Sequence, residues 1–262
     1  GSVSNAPTLG NDLIVNGAFA ADSDWTKGTG WTIGSGKATH GTGALSNIVE
    51  NVATHVVGGW YQWTFDVSGG TAGGIFPVTG GVAPVGAITQ TANASFVNTI
   101  RALGIVAGFG AGSAFDGSID NFTSKRLTLS TLFRSLQVST PNVLVEINVT
   151  RVVGTQSGLV INLDNAASPA NFIIVYEDGN GSILVDECVA GIYTNKMAAT
   201  SITYVAGAVL RVIKYGNSLD VYYNNTKVGS TLTMTANTNM LHGLFDTFGN
   251  TFDNFVVRDT ER

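Results

Sequence analysis

The amino-acid sequence predicts an all-β chain that folds as two antiparallel β-sandwiches in tandem. Apolar and polar residues alternate in many short segments, turn-forming residues separate these segments, and no window of about eleven or more residues shows a helical period. The composition agrees, because 33 of the 262 residues are Gly and only 12% are charged, whereas a typical domain has roughly 7% Gly and 25% charged residues. Helical bundles and coiled coils are thereby excluded.

The predicted strands follow from this alternation. Residues 61–67 and residues 143–150 alternate apolar and polar side chains most clearly. Further segments that predict strands lie at residues 159–163, 172–176, 210–215 and 219–223. Asn- and Gly-rich turns at 178–181, 216–217 and 224–225 separate them, and these residue types tolerate the positive φ of tight hairpins. Short strands joined by such turns, without helices between them, predict antiparallel sandwiches.

The composition changes near residue 125. Residues 1–125 hold 23 of the 33 Gly and all four Trp, whereas six of the seven Tyr lie in residues 126–262. We therefore expect a first domain over residues 5–124 and a second domain over residues 125–262.

Both halves close with the same tripeptide, Asp-Asn-Phe, at residues 120–122 and 253–255. The match is too short to establish an internal repeat. We expect each Phe to point into a core and each Asp to accept backbone N–H groups at the rim of a sandwich.

Charge and cysteine content exclude several classes of protein. The net charge is −5 and the 13 Lys and Arg residues are spread singly, so the chain lacks the basic patch that a phosphate backbone requires. No stretch reaches about 18 apolar residues, so we expect no membrane insertion. The one cysteine, Cys188, lies among apolar residues and is expected to be buried and unreactive.

The order of six segments within residues 11–122 carries a family resemblance. The segments are residues 13–19, Trp25, 30–33, 36–38, 60–67 and 117–122. In this order they resemble the jelly-roll carbohydrate-binding modules with a galactose-binding-like fold. The resemblance implies a jelly-roll domain that binds glycan more often than it catalyses a reaction.

Residues 130–258 resemble a different family, the concanavalin A-like, laminin G-type sandwiches. The resemblance rests on residues 210–229 and on His242-Gly243-Leu244-Phe245 leading into residues 252–255. Tandem modules of these two kinds recur in bacteriophage tail and virion-surface proteins and in secreted polysaccharide-degrading enzymes. The resemblance therefore implies an extracellular or virion-surface protein, but a shared fold does not identify the binding residues.

Sugar recognition needs an aromatic face beside short polar side chains. If Tyr61, Trp63 and Phe65 point into the core, then Trp60, Gln62 and Asp66 share the opposite face of the strand. These three side chains form one candidate sugar platform, and the alternative is that Trp60 only covers a sheet edge. Trp25 lies in a polar segment and is the second tryptophan expected to be exposed.

The second domain offers another candidate sugar site. Glu146 and Asn148 share one face of a predicted strand, with Asn162 and Tyr222 expected nearby. This polar face becomes the carbohydrate-binding site if the tryptophans of the first domain do not bind.

Calcium is the cofactor that the resemblance implies, as a structural ion. Jelly-roll modules of this type often hold it between an acid near the first strand and an Asp on the last. Asp120 matches the second position, but Ala20 stands where the family often has an acid. In the second domain Asp253 and residues 177–180 supply oxygens, although hairpin chemistry explains residues 178–181 without a metal.

Catalysis is not expected. A glycosidase needs two carboxylates at a defined separation, whereas Glu146 is the one acid on its predicted strand and Asn148 and Thr150 follow on the same face.

The predicted function is non-catalytic carbohydrate binding or surface attachment in a phage tail or virion-surface adhesion protein. One alternative is a structural virion or filament decoration module that binds protein subunits. The other is the accessory binding region of a secreted glycoside hydrolase.

Overall fold

The computed structural model describes residues 3–4 and 7–260. The chain divides into a first unit, Leu9–Leu127, and a second unit that combines Gly1–Thr8 with Thr128–Arg262. The described residues before Leu9 thus group with the second unit, whereas the division expected from composition starts the first domain at residue 5. The chain consequently passes from one unit to the other twice.

The described residues form strands and one short 3-10 helix, η1 (Leu129–Leu132), and they contain no α-helix. The all-β prediction is therefore confirmed. Within the same residues, none of the helical structure has the length and apolar character needed to cross a membrane. The strands are, in chain order, β1 (Val3–Ser4), β2 (Leu9–Asp12), β3 (Trp25–Lys27), β4 (Trp31–Gly34), β5 (Lys37–His40), β6 (Ser46–Glu50), β7 (Trp60–Ser68), β8 (Ile75–Thr79), β9 (Ser95–Arg101), β10 (Ala107–Ala111), β11 (Ser118–Leu127), β12 (Phe133–Gln137), β13 (Val143–Thr150), β14 (Ser157–Leu163), β15 (Phe172–Glu177), β16 (Ser182–Val189), β17 (Ile192–Ser201), β18 (Ala208–Tyr215), β19 (Ser218–Tyr223), β20 (Thr226–Thr233), β21 (Leu241–Asp246) and β22 (Thr251–Asp259).

The first unit consists of two antiparallel sheets that pack face to face. One sheet has the order β4-β5-β11-β7-β9 with β2 beside β11, and the other has the order β3-β6-β10-β8. Between them lies an aromatic core in which Trp63 and Phe122 have ring centroids 4.8 Å apart, and Phe65 and Phe109 are equally close. Edge-to-face contacts of this kind add to the free energy of burying the rings.

The second unit also has two antiparallel sheets. The first, called the β13 sheet, has the order β1-β22-β13-β18-β19-β20, and the second, called the β14 sheet, has the order β12-β21-β14-β15-β16-β17. Val145 and Ile147 on β13 pack into one aliphatic core with Leu159 on β14 and Val175 on β15. Because strand side chains alternate between faces, Glu146 and Asn148 lie on the outer face of the β13 sheet.

The two Asp-Asn-Phe tripeptides form equivalent irregularities in the two units. Asn121 and Asn254 have φ of 51° and 52°, and the strand register shifts beside each of them. The N–H of Asn121 donates to Oδ1 of Asp120 at 2.6 Å, and that of Asn254 donates to Oδ1 of Asp253 at 2.8 Å. Each Asn therefore occupies the left-handed position of a β-bulge.

The phenylalanines after these bulges turn inward. Phe122 is buried in the first core, and Phe255 packs against the second core. The prediction of inward Phe side chains and of Asp carboxylates that accept backbone N–H groups is confirmed.

Cys188 is 1% exposed, and its Sγ lies 3.4 Å from the carbonyl oxygen of Ala170. The predicted burial of this thiol is confirmed, while its low reactivity stays a prediction.

Candidate functional site

The outer face of the β13 sheet carries a row of polar side chains that runs across four strands. Glu146 on β13 lies opposite Arg211 on β18, Arg211 lies opposite Tyr222 on β19, and Tyr222 lies opposite Lys227 on β20. Directly opposite residues of antiparallel strands point to the same face. The row therefore places an aromatic ring between two cations on an accessible surface.

The charged groups of this face are held in pairs. Nε of Arg211 donates to Oε1 of Glu146, and Nη2 of Arg211 donates to Oδ1 of Asn225 at 3.3 Å. Nζ of Lys227 lies 2.8 Å from Oδ1 of Asp220, and this hydrogen bond raises the pKa of the lysine. Because the partners hold them, these side chains present hydrogen-bonding groups in defined positions.

A shallow polar hollow lies beside the row, where β13 meets the bulge of β22. Its volume is about 250 Å³, and it is lined by Asn148, Thr150, Gly207, Thr251, Phe252, Asp253 and Asn254. Nδ2 of Asn148 donates to the carbonyl oxygen of Gly207 at 2.6 Å, which fixes the amide at the wall. Typical small-molecule pockets measure about 300–1,000 Å³, so this hollow is large enough for only part of a ligand of that size.

Among the residues predicted for the second domain, this face brings together Glu146, Asn148, Tyr222 and Asp253. The expectation that Asn162 joins them is wrong. Asn162 lies on β14 in the other sheet, is 0% exposed, and uses its Nδ2 to donate to the carbonyl oxygens of Pro141 and Asn239. Its φ of 50° marks a register shift in β14, and such an irregularity turns the side chain toward neighbouring loops.

The expectation that Trp25 is exposed is also wrong. Trp25 is 5% exposed, and its ring lies 5.0 Å from that of Phe19. Its Nε1 donates to the carbonyl oxygen of Asn16 at 3.2 Å. The ring of Trp25 therefore belongs to the core, although its neighbours in the sequence are polar.

Trp60 and Gln62 lie on the face of β7 opposite the aromatic core, as the alternation predicts, but neither forms an open platform. Trp60 is 2% exposed and Gln62 is 9% exposed. The guanidinium of Arg101, which lies opposite Trp60 on β9, sits over the indole at 5.9 Å. The expected exposed aromatic platform is therefore wrong, because a cation covers the ring that was to bind sugar.

Asp66, the third residue of that platform, is bound by its neighbours. One carboxylate oxygen accepts a hydrogen bond from Nδ2 of Asn121 at 2.7 Å, and the other accepts one from the hydroxyl of Ser95. These two bonds, that from Asn121 first, lower the pKa of Asp66.

Asp120 and Asp253, the predicted metal ligands, both serve the bulges described above. No group of three or more His, Cys, Asp or Glu side chains suited to a metal ion gathers in the part of the chain that the structure describes. Calcium takes 6–8 oxygen ligands, so most of them would come from backbone carbonyls, amides and water at either Asp. The structural calcium ion stays a prediction.

Sequence reasoning missed Arg211, Asp220, Asn225 and Lys227 as members of the candidate face. Arg211 and Asp220 lie in segments predicted as strands, at positions that alternate with apolar residues. That alternation could have assigned both side chains to the outer face of the sheet. The pairing of Arg211 with Glu146 depends on the register of two strands, and these residues are 65 positions apart in the sequence.

No family model matches this chain, and no curated protein matches it. Among solved structures, sheep galectin-11 in complex with glycerol matches with 11% identity and a TM-score of 0.36, over 48% of this chain and 96% of that chain. The carbohydrate-binding module CBM66 from Bacillus subtilis matches with 9% identity and a TM-score of 0.35, over 90% and 96% of the two chains. Domains LG4-5 of the mouse laminin alpha1 chain match with 8% identity and a TM-score of 0.35, over 83% and 86%. The fold assignment rests on the sheets of this chain.

Proposed function

We propose that this protein binds carbohydrate without cleaving it, through the outer face of the β13 sheet. The observation that carries the proposal is the row in which Tyr222 lies between Arg211 and Lys227, next to the hollow lined by Asn148 and Asp253. An aromatic ring accepts the apolar side of a sugar ring, and fixed charged and amide groups bond its hydroxyls. The face offers both kinds of contact.

The carboxylates of this face argue for binding rather than hydrolysis. A glycosidase uses one carboxyl group as a proton donor and a second as base or nucleophile. Glu146 is paired with Arg211 and Asp220 with Lys227, and Asp253 accepts the N–H of Asn254. The three carboxylates of the face are therefore already bound by neighbouring groups of the protein.

Glu50 and Glu177, whose pKa is raised to about 7 in each case, are withdrawn from solvent. Burial is the main cause of both rises, and the side chains are 3% and 0% exposed. They also belong to different units. Neither can protonate a bond in a polysaccharide that stays outside the protein.

The setting we propose is attachment to a glycan-bearing surface from a phage tail or virion surface, in an extracellular location. The alternatives are a decoration module that binds protein subunits and the accessory region of a secreted hydrolase. The low charge and high Gly content of the chain suit each of these settings, so binding experiments have to distinguish them.

A glycan array probed with the full chain, with and without chelator, tests the proposal. A glycan that binds is then titrated into Tyr222→Ala, Tyr222→Phe and Arg211→Ala. Losing the ring is expected to weaken binding by about 1–2 kcal/mol, which is roughly a fivefold to thirtyfold rise in Kd, whereas Tyr222→Phe keeps the ring and most of the affinity.

Arg134→Ala is the matched control, since Arg134 is an exposed arginine on β12 of the other sheet. It removes the same charge as Arg211→Ala and is expected to leave Kd unchanged. Equal affinity in all four variants would exclude this face, and an array without any binding glycan would overturn the proposed function.

A further inference from the structure

Three loops at one end of the first unit expose aliphatic side chains to solvent. They join β6 to β7, β8 to β9 and β9 to β10. Their exposed side chains, together called the aliphatic tip, are Val52, Val56, Val57, Val82, Leu103 and Ile105, each 45–58% exposed. Single exposed aliphatic residues are ordinary, but a group of them on adjoining loops marks an interaction surface.

Backbone contacts join these loops into one surface. The N–H groups of Thr54 and His55 both donate to the carbonyl oxygen of Ile105, at 3.0 Å and 2.9 Å. Gly80 and Gly104 are in such close contact that a Cβ on Gly104 would lie 2.6 Å from Cα of Gly80. The apolar side chains therefore lie on a connected surface whose backbone is largely hydrogen-bonded internally.

The chemistry of the tip restricts what binds it. Residues 51–59, 80–87 and 102–106 contain no Asp, Glu, Lys or Arg, and the one histidine among them, His55, is buried. A glycan would find few side-chain hydrogen-bonding groups there. A bilayer surface is usually held by Trp, Tyr, Lys or Arg, and the three loops have none of these.

We propose that the aliphatic tip is a self-association surface that pairs with the same tip of a second copy of this chain. In a two-fold contact the same patch of each copy meets its counterpart. Each chain carries a net charge of −5, but the tip itself has no charged side chains, so two tips meet without local repulsion. The six half-exposed side chains present on the order of 500 Å² per copy, so the pair buries about 1,000 Å², at the lower limit for a specific interface. An interface of this size is typical of weak, reversible association, so we expect the dimer only at high protein concentrations.

Sedimentation of the full chain from about 5 to 500 μM tests this pairing. Dimer is expected at the upper concentrations and is expected to increase with salt, because screening reduces the repulsion between like-charged chains. Val57→Asp and Ile105→Asp place like charges opposite each other and are expected to raise the dissociation constant by more than about tenfold. A chain that stays monomeric throughout overturns the proposal.

Leu45→Asp is the matched control. Leu45 is 69% exposed and lies next to the beginning of β6, whereas the tip adjoins the end of that strand. A thermal melt of each variant checks its fold. A dimer that survives Ile105→Asp, or that Leu45→Asp weakens equally, overturns the assignment to the tip.

Disulfide trapping gives a second test that does not depend on a destabilising charge. Since Cys188 is buried, Val57→Cys supplies an accessible thiol that is expected to form oxidised dimers, unlike Leu45→Cys at the same concentration. Absence of a difference between these two variants contradicts the proposal. The proposal is also contradicted if the unmodified chain binds neutral phosphatidylcholine vesicles and Ile105→Asp abolishes that binding. The tip would then be a lipid contact.

Discussion

Glu50 in the first unit ends a chain of buried hydrogen bonds, and its substitution by Gln tests the electrostatics of this core. Nε1 of Trp63 donates to Nε2 of His55 at 3.2 Å, which leaves Nδ1 of His55 to donate to the hydroxyl of Thr54 at 2.8 Å. That hydroxyl donates to Oε2 of Glu50 at 3.0 Å, and the N–H of Val15 donates to Oε1 at 2.8 Å. Burial nevertheless outweighs these bonds and raises the pKa of Glu50 to about 7.

The pKa shift determines the sign of the pH dependence. The ordinary pKa of Glu50 is 4.5, so between pH 4.5 and pH 7 the folded state binds more protons than the unfolded state. The stability that protonated Glu50 contributes is therefore complete below pH 4.5 and is lost as the pH rises through 7. A rise from 4.5 to about 7 corresponds to about 3 kcal/mol at 1.36 kcal/mol per pH unit.

Glu50→Gln removes this dependence, because the amide does not titrate. We expect the free energy of unfolding of the variant, relative to that of the unmodified chain, to increase by up to about 3 kcal/mol between pH 4.5 and pH 7 and to stay level above. The pKa of His55, which burial lowers to about 4, imposes the opposite dependence between pH 4 and pH 6.5. This dependence is present in both proteins, so it cancels when their free energies of unfolding are subtracted.

Denaturant unfolding followed by tryptophan fluorescence measures the effect in the full chain. All four tryptophans lie in the first unit, so the signal reports the unfolding of that unit. If the free energies of unfolding of the two proteins differ by the same amount from pH 4 to pH 8, the result would falsify the assignment of Glu50 as a buried group with a raised pKa.

Asn254→Ala is expected to lower the free energy of unfolding of the second unit by about 1–2 kcal/mol, because Ala tolerates the left-handed region poorly, whereas Asn254→Gly is tolerated; equal effects in denaturant titrations contradict the bulge argument. Cys188 is expected to react slowly with a thiol reagent in the native protein, and fast stoichiometric labelling would show that it is accessible. Incubation with varied polysaccharides is expected to release no reducing ends, and release that disappears in Glu146→Gln would establish hydrolysis. The structural calcium ion proposed at Asp120 predicts that chelator lowers the Tm of the first unit, and an unchanged Tm counts against the ion.

Local patterns in the sequence were sufficient for the fold class and for the direction of many side chains. The alternation over residues 61–67 correctly assigns Trp63 and Phe65 to a core, since strand side chains must alternate between faces. Asn121 and Asn254 are likewise residues that accept a positive φ next to an Asp that caps their N–H. These features depend on neighbouring residues, so the sequence contains them directly.

Tertiary structure alone decided which faces are open and which distant groups meet. Alternation assigns Trp60 to the outer face of β7, but the guanidinium that covers its ring comes from Arg101 on another strand. Glu146 meets Arg211 because β13 and β18 pair in one register out of many. Asn162 stays away from them because β14 belongs to the other sheet, where a register shift turns its side chain toward neighbouring loops. The sequence by itself determined the β architecture and the side to which most strand residues point, because both follow from local periodicity. It left open what lies over each face, because that depends on contacts between segments far apart in the chain.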